Sequence, residues 1–385
     1  MKFWQKFSAI FVVLCMLTIH LPIAAGEGGE PEITAEAAII IESTTGRVIW
    51  EKNADERLYP ASMTKMMTGI LALEKMDMKS AVTYSQYAAY TESSPLGARP
   101  GESLVAKDMV TGLLLESDNG AAVALAENMA GDVTSFAAEM NSKAQQLGMH
   151  DTNFANPNGL TDKNHYSTAR DMAKLARYVM KNQDFRKIVG TTARDIYWRN
   201  PVGKIYRAEN TNKLLGKYDG ITGIKTGWTK AAGGCLAVSA KRDGVELIVV
   251  LMKADTLDDR FKDGAKLLDY GFEHVKMAKG PAKEKVRHKV WVKGGEQATA
   301  YVYPSHDIDY PLINGEEDTG RYTLTYDVPN VVDAPLQAGE PVGQLVLRYD
   351  GQPVEEVPMI SDKVPGGFSV GSWLVGVFEG VLKHI

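Results

Sequence analysis

Cysteine is nearly absent: two occur in 385 residues, Cys15 and Cys235. Cys15 falls in an apolar N-terminal run expected to be removed, so only Cys235 remains and no intramolecular disulfide can form. A chain of this size can be held by its own core without one. There is no His-Glu-x-x-His pattern and no cysteine pair, and the seven histidines are scattered. Neither a metal site nor a cofactor is expected. Long basic tracts are missing as well, and the formal net charge is −5. The electrostatic footprint of a nucleic-acid binder is therefore lacking. Residues are 44% hydrophobic and 24% charged. That balance excludes a disordered chain, a collagen, a coiled coil and a polytopic membrane protein. The length suits two domains of roughly 100–200 residues each.

The first 25 residues read as a secretory signal peptide. Lys2 and Lys6 sit near the start, an apolar run extends from Phe7 to about Ala25, and Ala24, Ala25 and Gly26 supply small residues for cleavage. The protein is expected to be exported to the outer face of the cytoplasmic membrane. Loss of the two lysines takes the charge from −5 to −7.

The rest divides by pattern. Ala37–Ile41 and Arg47–Trp50 read as strands around a Gly46 turn. From about Ser62 to Gly233 the pattern is mostly helical. Ser62–Glu74, Val105–Ser117, Ala121–Ala130, Val133–Leu147 and Thr168–Lys181 repeat apolar residues at three- and four-residue spacing. Asp132–Thr134 and Ser167–Thr168 offer N-caps, and Gly148 a stop. Strands return at Ile221–Trp228, Cys235–Ala240 and Val245–Met252, and Arg260–Tyr270 reads as a helix. Early and late strands sharing an antiparallel sheet flanked by helices give an α+β unit at 31–275. Lys276–Lys285 is a polar join. Val286–Val292, Ala298–Val302, Arg321–Val328 and Val342–Arg348 then alternate, which predicts a small all-β domain at 276–363.

The tail, 364–385, follows a Pro365-Gly-Gly367 break and carries few charges. At 100° per residue, Val370, Leu374, Val375, Val377, Phe378, Val381, Leu382 and Ile385 share one wide face. Ser369, Ser372, Gly376, Glu379, Gly380 and Lys383 lie opposite. This suits an amphipathic helix lying on a membrane surface. Its basic complement is thin, so charge is expected to add little to the attachment. Gly367-Phe-Ser369-Val-Gly371 matches a nucleophile-elbow pattern, but no strand precedes it and only His384 follows, so it reads as a helix start.

Three short elements carry chemistry. Ser62-Met-Thr-Lys65 opens a helix, where residues three apart share a face and the amine can reach the hydroxyl. Ser117-Asp-Asn119 puts a hydroxyl and an amide on one inter-helix loop. Lys225-Thr-Gly227 puts a cation, a hydroxyl and a residue with no side chain on a late strand. Each alone is weak; their order and context together are specific. A serine hydroxyl needs a base to attack. Lys65 can serve if its amine is neutral, which burial and a second cation such as Lys225 favour. An acyl-enzyme would form on Ser62. Ser117 would relay a proton to the leaving amine, and Asn119 would orient the substrate amide. Lys225 and Thr226 would hold a terminal carboxylate.

These residues resemble the serine-type D-alanyl-D-alanine carboxypeptidases, the low-molecular-weight penicillin-binding proteins. Leu58–Thr68, Gly112–Glu127, Phe154–Leu160, Asn210–Asn212, Gly223–Trp228 and Leu267–Phe272 all fit, and the similarity spans about 31–275. The resemblance implies a β-lactamase/transpeptidase-like catalytic fold. It implies that Ser62 is acylated with Lys65 as base, and that Ser117 and Asn119 complete the network. Lys225, Thr226, Gly227 and Trp228 would meet the substrate, with Arg260 a further candidate for the terminal carboxylate. The backbone N–H groups of Ser62 and Trp228 would form the oxyanion hole. Peptidoglycan stem peptides are the implied substrate and β-lactams the implied acylating inhibitors. Asp118 stands where many of these enzymes have Gly or Ala, and Ser-Asp-Asn is also found in class A β-lactamases. A β-lactamase, a D,D-endopeptidase and a non-catalytic β-lactam or peptidoglycan sensor are the alternatives. Asn158 and Trp228 depart from the family's usual residues. Cys235 reads as a small buried residue close enough to the site to meet thiol reagents.

Overall fold

The computed structural model describes residues 29–382; the expected leader at 1–25 lies outside them. In chain order, β1 (Ala37–Glu42) and β2 (Val48–Lys52) form a hairpin, and a 3₁₀ turn (Ala61–Thr64) runs into α1 (Lys65–Lys75). Then come β3 (Ala81–Thr83), the single turn α2 (Gln86–Ala89) and β4 (Ser103–Val105). A run of helices follows: α3 (Ala106–Leu115), α4 (Asn119–Ala130), α5 (Val133–Gln146), α6 (Ala169–Lys181) and α7 (Gln183–Val189). β5 (Ala193–Asn200) and β6 (Ile205–Glu209) pair, and β7 (Ile221–Thr229), β8 (Gly233–Arg242), β9 (Val245–Ala254) and α8 (Asp259–Glu273) finish the catalytic part.

The main sheet has the order β2-β1-β9-β8-β7 and is antiparallel throughout. Every residue of β1 is buried, because both faces of the strand are covered. Ile39 and Ile41 face the helical cluster that holds Met66, Met67 and Leu113. Ala38 and Ile40 face Leu267 and Leu268 of α8. The expected arrangement, one antiparallel sheet with helices on its faces, is what forms. Within the two expected cap stretches, Asp132 and Thr168 are the residues that cap α5 and α6, accepting from Ser135 N and Asp171 N.

The stretch 62–233 is less helical than its pattern suggests. β3, β4, β5 and β6 make a second, four-stranded sheet that the periodicity does not reveal. β3 and β4 are three residues each, too short to establish a period. β5 and β6 bury only Ile196, Trp198 and Ala208, and their remaining residues are polar or exposed.

The C-terminal part begins inside the polar join. β10 (Val275–Lys279) pairs with a later strand, and β11 (His288–Lys293) and β12 (Thr299–Pro304) form a hairpin. The chain continues through β13 (Asp309–Ile313), β14 (Tyr322–Asp327), β15 (Val331–Asp333), β16 (Pro341–Tyr349) and β17 (Gln352–Ser361) to α9 (Val370–Leu382). Six of these strands make one sheet, β14-β16-β17-β12-β11-β15, over a core of Val290, Val302, Leu345, Val357 and Met359. β17 escapes sequence reading because Pro353 and Pro358 interrupt its pattern. Val364 is buried with Val292 and Leu336, so the chain stays with the β domain almost to the start of α9.

Arg47 joins the two parts. Its guanidinium donates to Glu316 Oε1 at 2.6 Å, to Tyr322 Oη at 2.7 Å and to Pro311 O at 2.9 Å, and lies over the Tyr349 ring. Arg177 of α6 donates to Val354 O of β17 at 2.8 Å.

Candidate active site

A cavity of about 580 Å³ lies where the 3₁₀ turn, the α3–α4 junction and β7 meet. Ser62, Ser117, Asn119, Thr226, Gly227, Trp228 and Arg260 line it. Lys65 and Lys225 are buried behind this lining, 0% and 1% exposed. All nine residues singled out in the sequence thus converge on one cleft.

The turn that presents Ser62 is made by close approach. Ala61 has a positive φ of 48° and Ser117 one of 63°, a conformation that costs non-glycine residues about 1–3 kcal/mol each. Neighbours hold the Ala61 turn there. Gly159, itself at φ 86°, packs so tightly that a Cβ would fall 1.9 Å from Ala61 O. Gly227 of β7 leaves 3.0 Å between the place of a Cβ and Pro60 O. The glycine of Lys-Thr-Gly therefore lets the strand press against the turn that carries Ser62.

Lys65 Nζ has three partners: Ser62 Oγ at 2.9 Å, Asn119 Oδ1 at 2.6 Å and Asn158 O at 2.7 Å. Asn119 Nδ2 donates to Glu92 O at 2.8 Å, which fixes the amide so that its oxygen faces the amine. Both Asn119 Oδ1 and Asn158 O can only accept. A neutral amine spends its two hydrogens on them, and its lone pair is left for the Ser62 hydroxyl proton. Burial, and then the charge of Lys225, hold the Lys65 amine well below its ordinary range, and Asp118 opposes them. Lys225 is lowered to about 7, by burial first and Arg260 second. Among the described residues its one hydrogen bond is to the neighbouring Thr226 O, at 3.2 Å.

Arg260 is 8% exposed and donates to Gly227 O at 2.7 Å, so it braces the β7 backbone at the cleft. Its buried Nε has no partner among the described residues. Thr226 Oγ1 and Thr211 Oγ1 share a hydrogen bond at 2.7 Å, which adds Thr211 to the lining. Trp228 is half exposed at the rim. Asp118 does not line the cleft. It is buried, caps α4 by accepting from Ala121 N at 2.6 Å, and accepts from Leu96 N at 2.9 Å. With Ser94 Oγ receiving Gly120 N, it ties the Ser117–Gly120 turn to the loop 91–96. Burial raises its carboxyl.

One expectation fails. Cys235 is fully buried, its thiol directed at Tyr59 O and Ala232 O, and burial raises it to about 11. A thiol that is neither exposed nor ionised does not meet thiol reagents. Ser369, of the rejected elbow pattern, accepts from Ser372 N at 3.1 Å and sits at the start of α9.

Two contributors were not legible. Asn158 acts through its backbone oxygen, placed by Asn156, whose side chain accepts from Gly159 N and donates to Leu160 O. His165 is buried beside the nucleophile turn. Its Nδ1 accepts from Ala155 N at 3.1 Å, so Nε2 carries the proton and donates to Thr64 Oγ1 at 2.8 Å. Burial holds this imidazole at about 4, against an ordinary 6.5.

Protonated His165 would lose the Ala155 bond, so the folded state resists protonation that the unfolded chain accepts. Stability should therefore fall as pH drops from 6.5 towards 4 and level off below. The full loss is about 3 kcal/mol. Denaturant midpoints across this window should slope for the natural protein and flatten in His165→Asn. Equal slopes would remove His165 as the cause.

The comparisons with known proteins agree with this geometry. The profile of the peptidase S11 family, described as D-alanyl-D-alanine carboxypeptidase, matches residues 25–256, and that of the penicillin-binding protein 5 C-terminal domain matches 272–364. The D-alanyl-D-alanine carboxypeptidase DacF of Bacillus subtilis is 35% identical over 383 residues, covering 95% of this chain and 98% of that protein. DacC of Escherichia coli is 32% identical over 360 residues, 89% of this chain and 88% of that one. Among solved structures, penicillin-binding protein 5 from Haemophilus influenzae aligns with a TM-score of 0.64 at 29% identity, covering 88% of this chain and 99% of that one. The Streptomyces K15 DD-transpeptidase aligns at 0.60 and 31%, over 64% of this chain and all of that one. With its motifs gathered in one cleft and its matches running through both domains, this chain belongs to the D-alanyl-D-alanine carboxypeptidase family, peptidase S11.

Proposed function

We propose that the protein is a serine D-Ala-D-Ala carboxypeptidase that trims peptidoglycan stem peptides and is acylated by β-lactams. The observation that carries this reading is the Lys65 amine, buried, with two oxygens that only accept and one serine hydroxyl around it. In the first step Lys65 Nζ takes the Ser62 proton while Oγ attacks the carbonyl carbon of the penultimate D-alanine. The N–H groups of Ser62 and Trp228 receive the charge that develops on the carbonyl oxygen. The proton taken by Lys65 is relayed through the Ser117 hydroxyl to the departing D-alanine amine, the C–N bond breaks, an ester on Ser62 remains and Lys65 is neutral again. Water, activated by the same base, then hydrolyses that ester and returns the proton to Oγ. Asn119 holds Lys65 through Oδ1 and has one amide hydrogen left for the substrate.

Lys225, Thr226 and Arg260 form the carboxylate pocket. Among the described residues Lys225 has no carboxylate partner. A substrate carboxylate supplies one, so binding favours its charged form. The β-lactamase alternative draws on Asp118, and that carboxylate is committed to Ala121 N and Leu96 N, away from the cleft.

We also infer that α9 attaches the protein to a membrane surface. Among the described residues no helix is long and apolar enough to cross a bilayer. Val370, Trp373, Leu374, Val377 and Phe378 are 41–66% exposed along one face of α9. The opposite face is set against the β11–β12 hairpin: Gly371 meets Ala298 and Gly376 meets the stem of Lys293. An apolar face that wide, with a tryptophan on it, favours the interface between water and lipid.

Three outcomes are expected. Penicillin should add one acyl mass to the natural protein and none to Ser62→Ala, which should also lose D-alanine release by at least about a thousandfold; rapid penicillin turnover would favour a β-lactamase instead. Above about pH 7, free Lys225 loses its charge, so kcat/KM for a D-Ala-D-Ala peptide should fall while kcat falls less. Lys225→Arg, charged throughout, should flatten that limb, and an unchanged limb would assign it elsewhere. A chain ended at Gly367, which keeps buried Val364, should leave the membrane fraction yet still bind penicillin.

A further inference from the structure

Charge in the β domain is segregated. Between residues 276 and 293 the sequence has seven lysines and arginines and one carboxylate, Glu284; between 294 and 363 it has three and thirteen. The basic stretch leads into a cavity of about 640 Å³ over β12. Lys283, Arg287 and Lys363 stand around it, and Tyr301 and Tyr303 form its floor. Two carboxylates, Glu284 and Asp362, also reach it, and Asp362 is engaged by Tyr303 Oη at 2.9 Å. Among the described residues, none of the three cations has a carboxylate partner.

The cavity shares a face with α9. Alternate residues of a strand point the same way, so Lys289, Trp291 and Lys293 lie on one face of β11. Tyr301 pairs with Lys289 across the hairpin. Trp291 is 49% exposed with Lys289 Nζ 5.2 Å from its ring centre, and Gly376 of α9 lies against the Lys293 stem. One surface therefore carries, side by side, an apolar helix face without cations, an exposed tryptophan and a cavity where three cations outnumber two carboxylates and form no ion pair with them among the described residues.

We propose that the cavity over β12 binds the phosphate of anionic phospholipid headgroups and supplies the positive charge that α9 lacks. This rests on the reading of α9 as a membrane-lying helix. A lysine or arginine near an anionic surface strengthens partition by about fivefold. The cavity's tyrosines suit the headgroup layer, where rings with one polar end accumulate.

Vesicle sedimentation of the protein lacking residues 1–25 tests it, with phosphatidylcholine alone or mixed with phosphatidylglycerol. The natural protein should prefer the mixed vesicles. The triple variant Lys283→Gln, Arg287→Gln, Lys363→Gln should lose about a hundredfold on mixed vesicles and keep its partition on neutral ones. Equal labelling by fluorescent penicillin checks that it is folded. A triple variant that keeps the preference overturns the proposal and leaves the α9 reading standing. Trp373→Ser with Phe378→Ser should abolish partition on neutral vesicles; if it does not, the α9 reading fails, and the proposal with it. Inorganic phosphate, titrated by calorimetry, separates the sources. Phosphate heat that the triple variant loses, with vesicle preference intact, would mean a soluble anion and overturn the lipid assignment.

Discussion

The chemistry depends on an amine kept out of water with its hydrogens already committed. Lys65 Nζ faces two oxygens that cannot donate and one hydroxyl that can. Burial penalises the ammonium, and the second buried cation, Lys225, adds to the penalty. A buried neutral amine with freely rotating hydrogens would offer its lone pair in any direction. With Asn119 Oδ1 and Asn158 O fixed, the lone pair has one direction left, and Ser62 Oγ occupies it. Orientation and protonation state thus come from the same contacts.

Those contacts in turn need three separate segments to meet. Asn158 O reaches Lys65 only because Asn156 folds the loop and Gly159 admits Ala61 O. Asn119 Oδ1 faces the amine only because Glu92 O takes the other end of the amide. That carbonyl belongs to the loop 91–96, which is tied to the same turn through Asp118 and Ser94. The carboxylate in the Ser-Asp-Asn motif therefore acts through loop position. Its burial costs free energy, which two charge-assisted backbone hydrogen bonds, one of them the cap of α4, offset.

The sequence made the side-chain constellation readable because the three motifs carry their own local context: a helix start, an inter-helix turn and a strand. The main sheet was readable because β1, β8 and β9 are long apolar runs. What could not be read has physical reasons. Asn158 contributes a backbone oxygen, and no residue type announces that. His165 matters through burial and its two ring partners, which arise from segments ten and 101 residues away. Arg260 was as readily a surface charge as a ligand until its burial against Gly227 O was known. The burial of Cys235 behind the nucleophile turn depends on β7 and β8 pressing on Pro60 and Ala61, a contact between distant parts of the chain. β3 to β6 were lost because short, one-sided strands leave no period to find.

The join between the two parts gives the cleft a fixed relation to the terminal helix. Arg47 is only 14% exposed in its side chain, and its donors go to a carboxylate, a phenol and a carbonyl of the β domain. A guanidinium so committed would leave several buried polar groups unpaired if the domains slid, and each costs about 1–3 kcal/mol. Arg177 adds a second tie to β17, away from the first. Two such ties resist rotation as well as separation. The β domain carries α9, seated at Gly371, where a side chain would collide with Ala298, and at Gly376 against the Lys293 stem. A rigid β domain would thus act as a spacer, holding the cleft at a set distance and orientation above whatever surface α9 contacts. With α9 on a membrane as proposed, that distance would decide which strands of a polymer lying outside it the enzyme could reach.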